Sequence, residues 1–412
     1  MNDEVFAFVA AQREEEELAE EVRRRGGDLR RDADWIRRDT LGWHENFMLE
    51  LEEEDPNEFK AMLSMEPAMF HELQARLFDR LKKKDTNWRR ALPPGLKLAI
   101  TLNYLATGDS YKTLMRGFRV PSNTISHIIT EVCQAIIDEY LDEMIQFPST
   151  SEEWKEKAEE FGVRWNFWHA LGALDVKHCA VKKPRNSGSR FRNSNGFFSF
   201  RLMALVDARY RFIWVEVGAG AGSDAQIYNS SQLKKKIEDG SMGFPEPDNL
   251  PADDQPVPYF LIGDDAFALR TTMMKPYSRH DITHEEKIYN YRCSRARRVV
   301  QNAFGMLGNR FRCLLDRLHQ EPDHAQNIVM CCVVLHNLMR TRYPGPQDEI
   351  IDREDDHHNL ILGEWREGKH MIDLGRSIGG NRETREAKDQ RDYLKDYYNS
   401  EAGAVGWQEN MV

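Results

Sequence analysis

The chain has 412 residues, 41% hydrophobic and 10% aromatic, so most of it can bury a core. Its 57 Lys and Arg against 68 Asp and Glu leave a formal charge of −11, which argues weakly against a nucleic-acid partner. No run of about 18 apolar residues occurs, so a membrane-spanning helix is excluded. The start, MNDEVFAFVAAQREEEELAEE, is not read as a signal peptide. Six scattered cysteines, two of them adjacent at Cys331–Cys332, exclude a disulfide framework and a structural zinc site. The thiols are expected to be free, mostly buried, in a reducing compartment.

Residues 1–60 are dominated by charge and are expected to be solvated helix, disordered in part. From Pro67 the pattern changes. Met69, Phe70, Leu73, Leu77 and Leu81 recur at helical spacing. A helix stopped by Gly108, a short helix over SYKTLMRGF, a turn at RVP and a longer helix from Ser122 follow. This is a helix-turn-helix layout, and residues 61–150 are assigned to it as an all-helical domain. Ser122 is the expected N-cap. Ser122, Asn123, Ser126 and His127 would be the positions that read DNA, unless the segment is a plain helical bundle.

After an acidic connector the period shifts from helix to strand. WHALGALDVKHCAVKKP reads as a strand carrying Asp175. FFSFRLMALVDARYRFIWVEVGAG reads as two strands joined at Asp207–Tyr210, and SDAQIYNSSQLKKKIEDG as one helix capped by Ser223. YFLIGDDAFAL is a short buried strand ending at Gly263–Asp264, and two helices follow. The fold class is therefore α/β, a ribonuclease H-like mixed sheet flanked by helices. Residues 172–340 form this domain, and residues 341–412 are expected to be a polar, poorly packed tail.

Within the inferred sheet the strands of Asp175 and Asp264 are neighbours. Two close carboxylates share a proton or bind a cation. Hard oxygen ligands suit magnesium or manganese, which can activate water at a phosphodiester. The plainer alternative is that both acids cap nearby N–H groups. Asp265 points away from Asp264 if the strand continues. The chain centre is also locally basic. Arg190 and Arg192 lie in an acid-free stretch from Val176 to Val206, and Arg295, Arg297 and Arg298 in another from Tyr291 to Leu315. These five are the candidate phosphate contacts, with ordinary surface ion pairs as the alternative.

GALDVKHCAVKKP, NSGSRFRNSNGFFSF, ALVDARYRFIWVEVGAGAGSDAQIY, GDDAFAL, YNYRCSRARRVVQNAFG and VVLHNL, in this order, resemble the DDE domain of PIF/Harbinger transposases and the nucleases derived from them. The resemblance implies a metal-dependent DNA nuclease or transposase. It places the first acid on Asp175, the second on Asp264, and an extra metal contact on Asp224. The closing Glu of the family's V-E-x-x-F-G pattern falls on Gln301, 37 residues after Asp264. Glutamine keeps the shape of glutamate but is neutral, a weak ligand for a hard dication and no base. The resemblance further implies DNA as substrate, a separate Myb-like DNA-binding partner and a nuclear site of action, with the cytoplasm as a second compartment. Self-association into a homo-oligomer is also considered. The competing expectation is a domesticated binding factor, on DNA or protein, that has lost cleavage. A decaying transposon copy is the third. Lys82–Lys84 with Arg89–Arg90 is a candidate import signal.

Overall fold

A computed structural model describes residues 38–85, 90–278, 280–342, 350–373 and 383–412. The chain divides into two compact units, Met1–Glu139 and Tyr140–Val412.

The described part of the first unit is all helical. Its elements are α1 (Met48–Glu54), α2 (Pro56–Leu63), α3 (Pro67–Leu81), α4 (Pro94–Thr107), α5 (Tyr111–Phe118) and α6 (Ser122–Met144), the last of which crosses the unit boundary. The apolar stripe of α3 is buried at all five expected positions. Residues 48–63 also give Met48, Leu51, Phe59 and Leu63 to the buried set, so this part of the charged N-terminal region packs within the unit. The expected boundary at residue 60 therefore falls inside α2. Lys97 is buried on α4, where its ammonium donates to the Leu81 carbonyl at 2.8 Å and pairs with Glu131 at 3.3 Å. Burial lowers the pKa of this lysine, against the pull of Glu131.

The order α4, α5, turn, α6 follows the expected layout. Ser110 caps α5 by accepting from the Thr113 N–H. Ser122 does not cap α6. It is the first helical residue, and its hydroxyl turns back to donate to the Tyr111 carbonyl at 3.3 Å. Asn123 and His127 are exposed, while Ser122 and Ser126 are half-buried. Lys82, Lys83, Lys84 and Arg90 are exposed, and Arg89 lies outside the described residues.

The second unit opens with α7 (Ser151–Trp165), held at its start by a reciprocal capping box between Thr150 and Glu153. Its sheet contains β1 (Ala170–Ala180), β2 (Ser199–Val206), β3 (Phe212–Ala219), β4 (Phe260–Ile262) and β5 (Met273–Met274), in the order β3-β2-β1-β4-β5. The first three pair antiparallel, and β4 runs parallel to β1. The run ALGAL before Asp175 is apolar on both faces because β1 is central and covered on both sides. On one face Leu174, Val176, Met203, Leu205 and Leu261 pack with Trp154 of α7 in a buried cluster.

The segment after β3 is two helices, α8 (Asp224–Asn229) and α9 (Gln232–Glu238), rather than the expected one. Ser231 explains the break. Its hydroxyl accepts from the Lys234 N–H and starts a new helix. α10 (His284–Arg310) packs on β1, and α11 (Pro322–Arg342) follows. The expectation of a poorly packed tail fails over residues 383–412. There α12 (Arg385–Asn399) buries Ala387, Leu394, Tyr397 and Tyr398 and packs on α10. All six cysteines are buried, and Cys133, Cys179, Cys293 and Cys313 are free thiols. No described helix is long and apolar enough to cross a membrane.

Candidate active site

Side chains alternate along a strand, so Asp175 and Lys177 of β1 project to the same face. The Lys177 ammonium lies 3.0 Å from Asp175 Oδ2. β4 runs parallel beside β1 and ends at Ile262, which brings Asp264 to the same edge. Asp264 Oδ1 accepts from the Ala266 N–H at 2.9 Å, which fixes the turn that follows the strand. The expected pairing of the two acids is realised through a third residue. Arg297 of α10 places Nη2 3.4 Å from Asp264 Oδ2 and 3.9 Å from Asp175 Oδ1.

Asp224 stands at the first turn of α8, where Ser223 and Gln226 form a capping box. The helix dipole favours an acid there, but its Oδ1 is buried with no hydrogen-bond partner. Gln301 is half-buried on α10, one turn after Arg297 and so on the same side of that helix.

The electrostatics separate the three acids. Burial opposes ionisation of Asp175, but Lys177 and Arg297 outweigh it and hold its pKa below the usual carboxylate value. Asp264 is raised, first by burial and then by Asp175, with Arg297 opposing. Asp224 is raised to about 7 by burial, with Asp175, Asp264 and Asp373 adding to the shift. The last of these, Asp373, was not among the residues singled out from sequence. It sits 2.8 Å from the same Lys177 ammonium. Lys177 itself was legible as the residue two places after Asp175. Asp373 had no such signal, because it lies 196 residues away in the chain.

The donor set offers carboxylate oxygens, the atom type a hard dication takes, but those of Asp175 and Asp264 face Lys177 and Arg297. Asp175 is 2% exposed, and its Oδ2 has no hydrogen-bond partner, only the charge contact with Lys177. Asp224 Oδ1 is likewise without a donor. These oxygens are desolvated and need a cation. Lys177 and Arg297 supply that charge, and among the described residues no group of three or more His, Cys, Asp or Glu side chains is arranged to hold a metal ion.

The candidate phosphate contacts divide into two groups. Arg190 and Arg192 are exposed on the connection between β1 and β2, beside exposed Lys182, Lys183 and Arg185. Arg295 and Arg298 are not available to DNA. Both bind the Glu354 carboxylate, at 2.8 and 3.0 Å, and Arg295 also donates to Asn166. Arg295 is only 7% exposed. Their assignment from sequence is therefore corrected: a half-buried carboxylate from a distant segment, not phosphate, neutralises them. Arg297 likewise faces Asp175 and Asp264. His178 is buried, its pKa lowered to about 4 by desolvation, and its Nδ1 contacts the Ser199 hydroxyl. His336 is buried between the Tyr210 carbonyl and Arg310, as a packed histidine.

Residues 174–337 match the model of the DDE superfamily endonuclease family. HARBI1 of Mus musculus, named as a candidate nuclease, is 24% identical over 303 residues, covering 71% of this chain and 82% of its own. HARBI1 of Homo sapiens is 24% identical over 286 residues, 66% of this chain and 77% of its own. The ALP1-like protein of Arabidopsis thaliana is 26% identical over 265 residues, 63% of this chain and 61% of its own. No solved structure matches.

Proposed function

We propose that this chain, whose residues 174–337 match the DDE superfamily endonuclease model and which is similar to HARBI1 and an ALP1-like protein, is a Harbinger-derived, metal-dependent DNA nuclease, weakened at Gln301. We read its sheet as ribonuclease H-like, a reading supported by three antiparallel strands followed by a parallel fourth. The observation that carries the proposal is the convergence of Asp175 and Asp264 on one guanidinium.

Asp175 and Asp264 would hold magnesium or manganese, with Asp224 as a further oxygen donor. When bound, such an ion activates water and stabilises the leaving oxygen of a phosphodiester. Arg297 keeps the two strand carboxylates together at the sheet edge. Asp175 stays ionised because Lys177 stands beside it. Gln301 offers one neutral carbonyl oxygen and can take no proton. The exposed cations of the β1–β2 connection hold the DNA backbone. A nuclear site of action goes with such a substrate.

A second reading is favoured by one observation. Lys177 and Arg297 already supply cationic charge beside the acids, as in a domesticated DNA- or protein-binding factor that no longer cuts. Manganese-dependent nicking of a labelled duplex separates the two. The nuclease reading expects nicking that disappears in Asp175→Ala. Absence of nicking by the natural protein and by Gln301→Glu alike would favour the binding factor.

A further inference from the structure

β4 pairs with β1 from Ala170 to Ala173 and goes no further. Beyond that point the same edge of β1 carries the site. The Val176 N–H donates to the carboxylate of its own neighbour Asp175, at 3.0 Å, and not to a strand. The N–H of His178, two residues on, faces the same edge. There the Ile372 carbonyl accepts it at 2.9 Å, in an antiparallel bridge. Asp175 and Lys177 therefore lie in the gap between the end of β4 and a bridge made by residues 350–373. This segment lies beyond the stretch that the family model matches.

The segment is held firmly along α10 and lightly at its tip. The Asp352 backbone exchanges two hydrogen bonds of 2.9 Å with the Asn302 side chain. Glu354 takes Arg295 and Arg298. The Trp365 indole N–H donates to Asn302 Oδ1 at 3.1 Å, and its ring fills the space a Cβ at Gly305 would need. Met371 is buried beside Gly308. Past it, the tip makes the Ile372 bridge and one ion pair, with Asp373 Oδ2 2.8 Å from the Lys177 ammonium. The Asp373 side chain is 59% exposed, and an ion pair open to water on that side is weak. The tip can lift while the rest of the segment stays docked.

We propose that residues 350–373 are an autoinhibitory strap, in which the Asp373 carboxylate occupies the place on Lys177 that a DNA phosphate takes when the substrate enters. The proposal rests on DNA as the partner of this site, which the nuclease and the binding-factor readings above share. The two occupants are chemically alike, since each presents an anionic oxygen to the ammonium. A lysine has three donors, so Lys177 can stay beside Asp175, 3.0 Å away, and exchange Asp373 for a phosphate. While the tip is down, the Asp373 charge also repels an approaching phosphate. That charge reaches Asp224, Asp264 and Arg297, so it acts across the whole site.

The test is the affinity of the full chain for a labelled DNA duplex, read by fluorescence anisotropy in EDTA at fixed salt, so that neither metal nor cleavage enters. The proposal expects Asp373→Asn to bind about fivefold more tightly, as a strap closed about four-fifths of the time would give. Asp356→Asn removes the same charge from an exposed position of the same segment and should change affinity by less than about twofold. The gain from Asp373→Asn should vanish in a Lys177→Gln background. No gain, an equal gain from Asp356→Asn, or a gain that survives Lys177→Gln would overturn the strap and leave DNA binding standing. The natural chain gives a second measurement that does not depend on how a variant folds. Adding duplex should speed hydrogen exchange at the His178 amide, because the lifted tip withdraws the Ile372 carbonyl. Unchanged or slower exchange there would overturn the proposal. No DNA binding by the natural chain or by any variant would overturn the DNA reading of the site, and the strap with it.

Discussion

Arg297 Nη2 stands 3.4 Å from Asp264 Oδ2, so a residue read as a DNA contact is an internal counterion of the acidic site. Its pKa is raised by Asp175 and Asp264 even against its own burial, a sign that the guanidinium and the acids stabilise one another. Replacing Arg297 with Met should leave a pair of desolvated carboxylates without their shared cation. Breaking a buried pair in this way costs about 3–5 kcal/mol. Urea unfolding checks it, and manganese should recover part of the loss in the variant more than in the parent. An unchanged midpoint without metal would contradict this account.

Asp224 gives a pH dependence with a definite sign. Its pKa is about 7 in the fold against 3.8 for an ordinary aspartate, because burial and three neighbouring acids favour the protonated form. Over that window the folded state keeps a proton that the unfolded state releases, so stability falls as pH rises. Above the folded value the cost is complete. Asp224→Asn removes it and should raise the melting temperature by a few degrees at about pH 8, with little change near pH 4. Thermal scans of both proteins across this range measure it. A variant that melts no higher at about pH 8 would mean that Asp224 is not held among like charges.

The arginines divide by whether they already have an acid. Arg295→Ala removes one charged hydrogen bond from half-buried Glu354, which keeps Arg298 and His358, and should lower stability by about 1.5–3 kcal/mol. Glutamine at Arg190 and Arg192 should leave the melting temperature unchanged and weaken DNA binding. The slope of log affinity against log salt should flatten by about 0.9 for each phosphate that is no longer neutralised. Fluorescence anisotropy over a salt series, beside a melting curve, reads both. The reverse pattern would return the phosphate role to α10.

Much of this arrangement was legible in the sequence because it depends on local period and strand order. Asp175 sits in an apolar run that can only be a central strand, and the Gly263–Asp264 signal ends the strand beside it. The parallel pairing of those strands then makes the acids neighbours. What escaped was tertiary. Arg295 and Arg298 look like a basic patch until Glu354 arrives from more than 50 residues away. The polar composition after Tyr343 masked Leu394, Tyr397 and Tyr398, whose helical spacing supplies a buried stripe to α12. Asp373 was illegible for the same reason, since only the Ile372 bridge onto β1 puts it at the site. The break at Ser230–Ser231 was a local signal passed over, as Ser231 is a strong cap inside an apparent helix.

The most direct test of the central claim is manganese-dependent cleavage of a labelled DNA duplex by Gln301→Glu, compared with the natural protein and with Gln301→Glu carrying Asp175→Ala. The account predicts slow cleavage by the natural protein, a rate higher by about tenfold or more with the restored carboxylate, and none once Asp175 is removed. Cleavage that survives the loss of Asp175 would contradict it.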